Sequence, residues 1–313
     1  MKKVYFIYPT SSIIASKVVN SLKNEKNYEI NEIILEISIY KKNILRFLRK
    51  ISLDKLGNFF LKNMIDFSNF PNLEEEDYII IFDSISEEVA TYLITNNKGK
   101  WIYWYWNPIK EEKILYLKKR INSIFTFDKY DSLKYGLKYF SQFYWEKTME
   151  NFERNEYDTI FIGYTKGREK ILQNLKDEFL KNDLNIFFYL LNSGKMNYLK
   201  YKIKEKLKKN QYIIPYEKVV DLTKKSKSII DIVSVGQTGL TLRALEAMFF
   251  KKKLITNNLE IKKYEFYNKK NVYILSEDSD IKAFLNSEMD YEYLKNIDKY
   301  YVSSWIKYLI ENS

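Results

Sequence analysis

The stretch from Ser228 to Asn257, SIIDIVSVGQTGLTLRALEAMFFKKKLITN, constrains the fold more than any other part of the chain. Ser228 to Val233 is a short, β-branched apolar run carrying one acidic residue, the pattern of a strand buried on both faces. Gly236-Gln237-Thr238-Gly239 then breaks the run, because glycine supplies positive φ and lets other groups approach the backbone. From Leu240 the apolar positions Leu242, Leu245, Met248 and Phe249 fall at helical spacing, and Lys253 to Thr256 reads as a second strand. A strand, a glycine loop, a helix and a second strand in this order predict an open, parallel α/β sheet. Such sheets hold anionic ligands at the loop that opens the helix.

On the other face of that helix Gly239, Arg243, Glu246 and Phe250 fall on one stripe. Arg243 and Glu246 alone make an ordinary exposed i,i+3 pair, contributing a few tenths of a kcal/mol. The pair leaves the Gln-Thr-Gly-Leu-Thr loop unexplained. The other reading places a diphosphate at the start of the helix, with the amides of Thr238, Gly239 and Leu240 donating and Arg243 beside it. Glu246, one turn deeper, then accepts from ribose hydroxyls.

The chain is 313 residues long, 46% hydrophobic and 17% aromatic, enough for a sizeable core and about two domains. Its formal net charge of +11 suits phosphates, nucleic acid or anionic lipid without choosing among them. There is no Cys, which excludes disulfides and thiolate metal sites, and no His, which removes the commonest general base. No metal or other cofactor is expected. Met1-Lys2-Lys3 leads into an apolar run too short for a secretory signal, and no run approaches the ~18–20 apolar residues of a membrane span. A cytoplasmic location is expected.

Strands are predicted at Lys3–Tyr8, Glu29–Ile37, Asp77–Phe82, Lys100–Tyr105 and Asn122–Phe127, with a helix over Ile13–Asn24 capped by Ser11 or Ser12. Three of these strands end at Asp83, Asn107 and Asp128. Carboxyl ends of strands line the ligand crevice in such sheets, so these residues are crevice candidates, although an Asp there is also an ordinary helix cap. Lys41 to Met64 is basic and amphipathic. It is either a packed element with a solvated face or, over residues 41–63, an attachment to an anionic membrane surface, peripheral on the inner face. Ser141 to Asn155 carries no strand pattern and sits where a linker belongs, so domains are expected at 1–150 and 151–297, with a closing helix at 298–313.

The second half repeats the alternation: Asp158–Gly163 strand, Gly167–Lys181 helix, Asn185–Leu191 strand, Tyr198–Lys209 helix, Gln211–Ile214 strand and Tyr216–Lys225 helix. After Thr256 come a strand at Asn271–Leu275 and a helix over Ser279–Asn286. Gly163-Tyr164-Thr165-Lys166-Gly167-Arg168 follows the first strand of this half with glycines, hydroxyls and cations where phosphate could lie. It lacks the Gly-Lys-Ser/Thr ending of a Walker loop, and no Gly-x-Gly-x-x-Gly follows Tyr8, which argues against a nicotinamide cofactor. Asp278-Ser279-Asp280 reads as a helix cap before it reads as a metal site. The Tyr198–Lys209 run reads as a solvated basic face, and no nucleic-acid partner is expected.

Residues DIVSVGQTGLTLRALEAMFFKKKLITNN, from Asp231, resemble the C-terminal half of bacterial GT-B glycosyltransferases of the lipopolysaccharide and capsular polysaccharide group. IFTFDKYDSLKYGLKYF, FIGYTKGREKIL and IIPYEKVVDLTKKSKSIIDI support it. The resemblance implies two Rossmann-like doubly wound α/β domains facing across a cleft. The nucleotide-sugar would be held mainly by the C-terminal half, and a growing surface glycan or glycolipid acceptor by the N-terminal half. It places the phosphate loop on Gln237, Thr238, Gly239, Leu240 and Thr241, the ribose ligand on Glu246, and a diphosphate-binding cation on Arg168, with Gly163 and Lys166 beside it. The closing helix around Trp305 would cross back to the N-terminal domain. The Glu-x7-Glu motif of retaining members keeps only its second acid, since Gly239 stands seven residues before Glu246. An inverting reaction would need a carboxylate base, for which Asp83 and Asp128 are the choices. Two alternatives remain: a polyol-phosphate transferase of the teichoic-acid type, which the absence of His disfavours, and a non-catalytic scaffold that binds nucleotide or glycan.

Overall fold

The computed structural model describes residues 1–36, 70–109, 114–148, 154–191, 214–234, 236–276 and 280–313. The membrane-surface segment 41–63, the Tyr198–Lys209 helix, most of the Gln211–Ile214 strand, and Asp278 with Ser279 lie outside the described residues. The chain divides into two compact units, Met1–Trp145 with Lys299–Ser313, and Glu146–Asp298.

In the first unit six strands pair in parallel: β1 (Lys2–Pro9), β2 (Tyr28–Leu35), β3 (Tyr78–Phe82), β4 (Lys100–Tyr105), β5 (Ile124–Thr126) and β6 (Lys138–Tyr139), in the order β2-β1-β3-β4-β5-β6. Helices α1 (Ile13–Leu22), α2 (Glu87–Asn96), α3 (Ile114–Lys118) and α4 (Lys129–Tyr135) connect them. Val4, Phe6, Ile7, Ile79, Ile80 and Ile102 are wholly buried, as the unbroken apolar runs of a sheet covered on both faces require. Ser12 stands at the N-cap of α1, but its hydroxyl makes no capping bond.

The segment without a strand pattern is not loose chain. Phe143, Tyr144 and Trp145 are buried, and the ring of Phe143 stacks on Trp305 with centroids 4.1 Å apart. Tyr144 N donates to Tyr300 O (2.8 Å) and Val302 N donates back to Tyr144 O (2.9 Å). This small ladder joins the segment to the closing helix Val302–Glu311, which a 3₁₀ stretch over Glu292–Tyr300 precedes in place of one continuous helix. Trp305, fully buried, also stacks on Phe82 (5.9 Å) and meets Trp104 edge-on (5.6 Å). Aromatic side chains pack by shape and quadrupole rather than by alternation, so the sequence pattern misses the segment.

The second unit holds β7 (Tyr157–Tyr164), β8 (Ile186–Leu191), β9 (Ser226–Asp231), β10 (Lys253–Thr256) and β11 (Val272–Ile274), parallel in the order β11-β10-β9-β7-β8. Its helices are α5 (Glu169–Lys181), α6 (Tyr216–Lys224), α7 (Leu242–Phe249) and α8 (Ile281–Asn286). Leu172, Leu175 and Phe179 of α5 and Phe284 of α8 cover Phe161, Ile230 and Ile255 of the sheet. Asp280 caps α8, its Oδ1 accepting from Lys282 N and Ala283 N. Among the described residues no helix is long and apolar enough to cross a membrane.

Both units are Rossmann-like and doubly wound, as the sequence resemblance implies. Strand order reverses between β1 and β3 in one unit and between β7 and β9 in the other, and ligands bind such sheets beyond the carboxyl ends of the strands at that reversal. Trp305→Ala removes the centre of the aromatic packing and is expected to destabilise the first unit by about 3–5 kcal/mol, read from urea unfolding followed by circular dichroism.

Candidate functional site

The reversal between β7 and β9 is built around two guanidiniums. After β7 the chain turns tightly through Lys166 (φ 47°) and Gly167 (φ 82°), and Arg168 N closes the turn on Thr165 O at 2.9 Å. From the N-cap of α5, the Arg168 side chain donates to three carbonyls: Nε to Thr165 O (2.9 Å), Nη2 to Tyr164 O (3.0 Å) and Nη1 to Ile232 O, which follows β9. Arg243, on α7, reaches back to β7, where Nη2 donates to Ile162 O at 2.7 Å and the guanidinium lies 4.9 Å from the Phe161 ring centre. Gly163 serves that reach. It sits at φ 154°, and a Cβ there would collide with the Arg243 guanidinium.

Carbonyl dipoles fix these cations in place without cancelling their charge. Burial and then the neighbouring Arg243 hold Arg168 below its ordinary pKa, and Lys166 is lowered by desolvation and then by both arginines. Beside them opens a cavity of about 540 Å³, lined by Lys166, Arg168, Lys170, Ile232, Ser234 and Asn257 among others. None of its described lining residues is acidic. Asn257 shapes the rim by a reciprocal pair, accepting from Val233 N at 2.8 Å and donating to Val233 O at 3.2 Å. A concave site holding several cations without a carboxylate suits an anion with several oxygens.

The glycine loop is arranged differently from the sequence reading. Gly236 takes φ 84°, and Gln237 N donates to Ser234 O at 3.1 Å. The helix begins only at Leu242, and Thr241 is its N-cap, with Oγ1 accepting from Ala244 N at 3.2 Å. The Thr238, Gly239 and Leu240 amides therefore precede the helix instead of opening it, and Gly239 and Leu240 are buried. Nor do Arg243 and Glu246 form an exposed stripe. Glu246 is 5% exposed, and its Oε1 accepts from Tyr216 OH at 2.8 Å. Burial pushes its carboxyl up to about 7, opposed by the Tyr216 hydrogen bond and by Arg243.

Asp231, at the end of β9, belongs to the same constellation, and the sequence reading leaves it out. It is 2% exposed, and its Oδ1 has no hydrogen-bond partner. Burial raises its pKa against the pull of Arg243, a Thr241 hydrogen bond and Arg168. The available signal is an acidic residue ending an apolar strand just before a glycine loop.

The first-unit candidates separate. Asp128 is buried at the N-cap of α4, its Oδ1 accepting from Tyr130 N (2.9 Å) and Asp131 N (3.2 Å), which is a cap's geometry. Asp83 is half-buried at the end of β3 and ties down the loop after β4, its Oδ2 accepting from Asn107 N (2.9 Å) and Asn107 Nδ2 (3.0 Å). Asp83 and Asn107 thus meet. Among the described residues no group of three or more carboxylates is placed to hold a metal ion.

No family model matches the sequence, and no curated protein matches it. Among solved structures, the chain is similar to the DNA-modifying enzyme β-glucosyltransferase, determined in the presence and absence of its substrate uridine diphosphoglucose. The match has 13% identity and a TM-score of 0.52, and it covers 99% of this chain and 100% of that one. The likeness is one of fold. Weaker matches are an S. aureus MnaA–UDP co-structure (14% identity, TM-score 0.48, 97% and 91% covered) and TarM (14%, 0.42, 82% and 54%).

Glu246 makes stability depend on pH. Its folded pKa lies near 7 against 4.5 for the free group, so the folded state holds this proton more tightly than the unfolded chain does. The contribution is fully present below pH 4.5 and is lost as pH rises toward 7, by at most about 3 kcal/mol. Glu246→Gln should therefore raise the melting temperature relative to wild type at pH 8 and have little effect at pH 4, as measured by calorimetry.

Proposed function

We propose that the chain is a glycosyltransferase that takes a sugar from a nucleoside-diphosphate donor held in the second unit. The observation that carries this reading is the cavity at the β7/β9 reversal, where Lys166, Arg168 and Lys170 line a space without a carboxylate and Arg243 stands behind. Transfer releases a nucleoside diphosphate, whose charge must be met as the glycosidic bond breaks. Fixed cations in a partly dry site meet it without a metal. In this reading Lys166 and Arg168 face the diphosphate, and Gly163 keeps Arg243 in position. The loop Gln237–Thr241 borders the donor and Glu246 receives the ribose.

We assign the acceptor, a growing surface glycan or glycolipid, to the first unit, with Asp83 as the base that takes the proton of its attacking hydroxyl. Asp128 is left as a cap. The fold likeness to an enzyme whose substrate is uridine diphosphoglucose makes uridine diphosphate sugars the first donors to try.

Thermal-shift titration with UDP-, GDP-, CDP- and ADP-sugars tests the donor site. One nucleotide should raise the melting temperature, and Lys166→Ala, at an exposed position, should weaken that nucleotide's binding about tenfold. No shift with any of them sinks the reading. Stabilisation by CDP-glycerol alone points to polyol-phosphate transfer. Asp83→Asn should lower kcat about a hundredfold or more while leaving donor affinity within twofold of wild type.

A further inference from the structure

The first unit carries a face that neither its core nor the donor reading uses. From Ile114 to Phe140 the exposed charges all have one sign. Lys118, Lys119, Arg120, Lys129 and Lys134 are exposed and Lys138 is half-buried, whereas the two carboxylates of this stretch, Asp128 and Asp131, are buried. Asp128 caps α4, and Asp131 Oδ2 accepts from Ile109 N at 2.8 Å, so both are turned into the fold.

Within this basic field stand two exposed large side chains of α4, Leu133 (85% exposed) and Tyr130 (51%), which are i,i+3 neighbours on one face of the helix. A leucine this exposed on an ordered helix gains nothing from the fold. The surrounding lysines lie along aromatic rings: Lys134 Nζ is 5.6 Å from the Tyr130 ring centre and 5.3 Å from that of Tyr135, and Lys129 Nζ is 5.5 Å from that of Tyr139. Lys118 donates to Tyr135 O at the end of the same helix. Ammonium groups over tyrosine rings beside an exposed leucine put cationic and apolar surface side by side, the mixture that suits a membrane–water boundary.

We propose that this α3–β5–α4–β6 face docks on an anionic lipid surface, with Leu133 and Tyr130 entering the headgroup layer and Lys118, Lys119, Arg120, Lys129 and Lys134 meeting lipid phosphates. A duplex or single-stranded nucleic acid would satisfy the cations but would leave Leu133 in water, so the apolar pair decides between these partners. The inference does not rest on the donor reading. It also concerns a different stretch from the basic segment 41–63.

Co-sedimentation of the full chain with vesicles of phosphatidylglycerol and phosphatidylcholine in equal parts tests it. Wild type should bind these vesicles, release them as salt is raised, and ignore vesicles of phosphatidylcholine alone. Leu133→Asp and the pair Lys129→Glu with Lys134→Glu should each lower partitioning about tenfold, with circular dichroism and melting temperature unchanged because these side chains are at the surface. Absence of wild-type binding overturns the proposal. So does binding that both variants retain, which would place attachment elsewhere in the chain. It also falls if the variants lose affinity for a DNA or RNA duplex while keeping it for vesicles.

Discussion

The second unit depends on arginine guanidiniums bonded to the carbonyls at the ends of its strands. Where a parallel sheet reverses order, the last carbonyls of adjacent strands point into the crevice without ladder partners. Arg168 takes three such carbonyls, those of Tyr164 at the end of β7, Thr165 just after it and Ile232 just after β9, and Arg243 takes that of Ile162 in β7. The planar guanidinium suits this task because it offers donors in several fixed directions and stays charged. One set of bonds therefore fastens the sheet's edge and leaves positive charge facing open space.

The cost of that charge is distributed locally. Burial first, and then repulsion from the neighbouring guanidiniums, lowers the pKa values of Lys166 and Arg168. Asp231, buried at the end of β9, attracts both arginines and does not line the cavity. Glu246 is buried and held by Tyr216, with its carboxyl pushed up to about 7 by burial. The cations thus face outward and the acids lie behind them. An arrangement of this polarity suits an anion.

In the first unit, packing takes the place of charge. Trp305 joins Phe6, Phe82, Trp104 and Phe143, and through them the closing helix covers one face of the sheet. The cluster assembles from parts of the chain far apart in sequence, and residues 141–145 read as a linker because nothing in their order alternates.

Much of the architecture is legible in the sequence. The apolar runs at Lys3, Asp77, Lys100, Asp158 and Lys253 become central strands within a residue or two, because a strand buried on both faces must be apolar throughout. The Gly236–Thr241 loop is legible as a loop, but the helix start is not. Thr241 caps α7 as well as a residue three positions earlier would by pattern alone.

The site is less legible. At Gly163 the structure also leaves room for Arg243, which the sequence does not show, and Arg243 and Glu246 look like a surface pair and instead turn to separate partners. Residue order alone fixes two parallel α/β units, a basic chain without His or Cys, and glycine loops where strands meet helices. Which charges converge is set in three dimensions. Arg168 meets Ile232 across 64 positions and Arg243 meets Ile162 across 81. Periodicity encodes the face a residue lies on, whereas such meetings are fixed by the order in which strands pair.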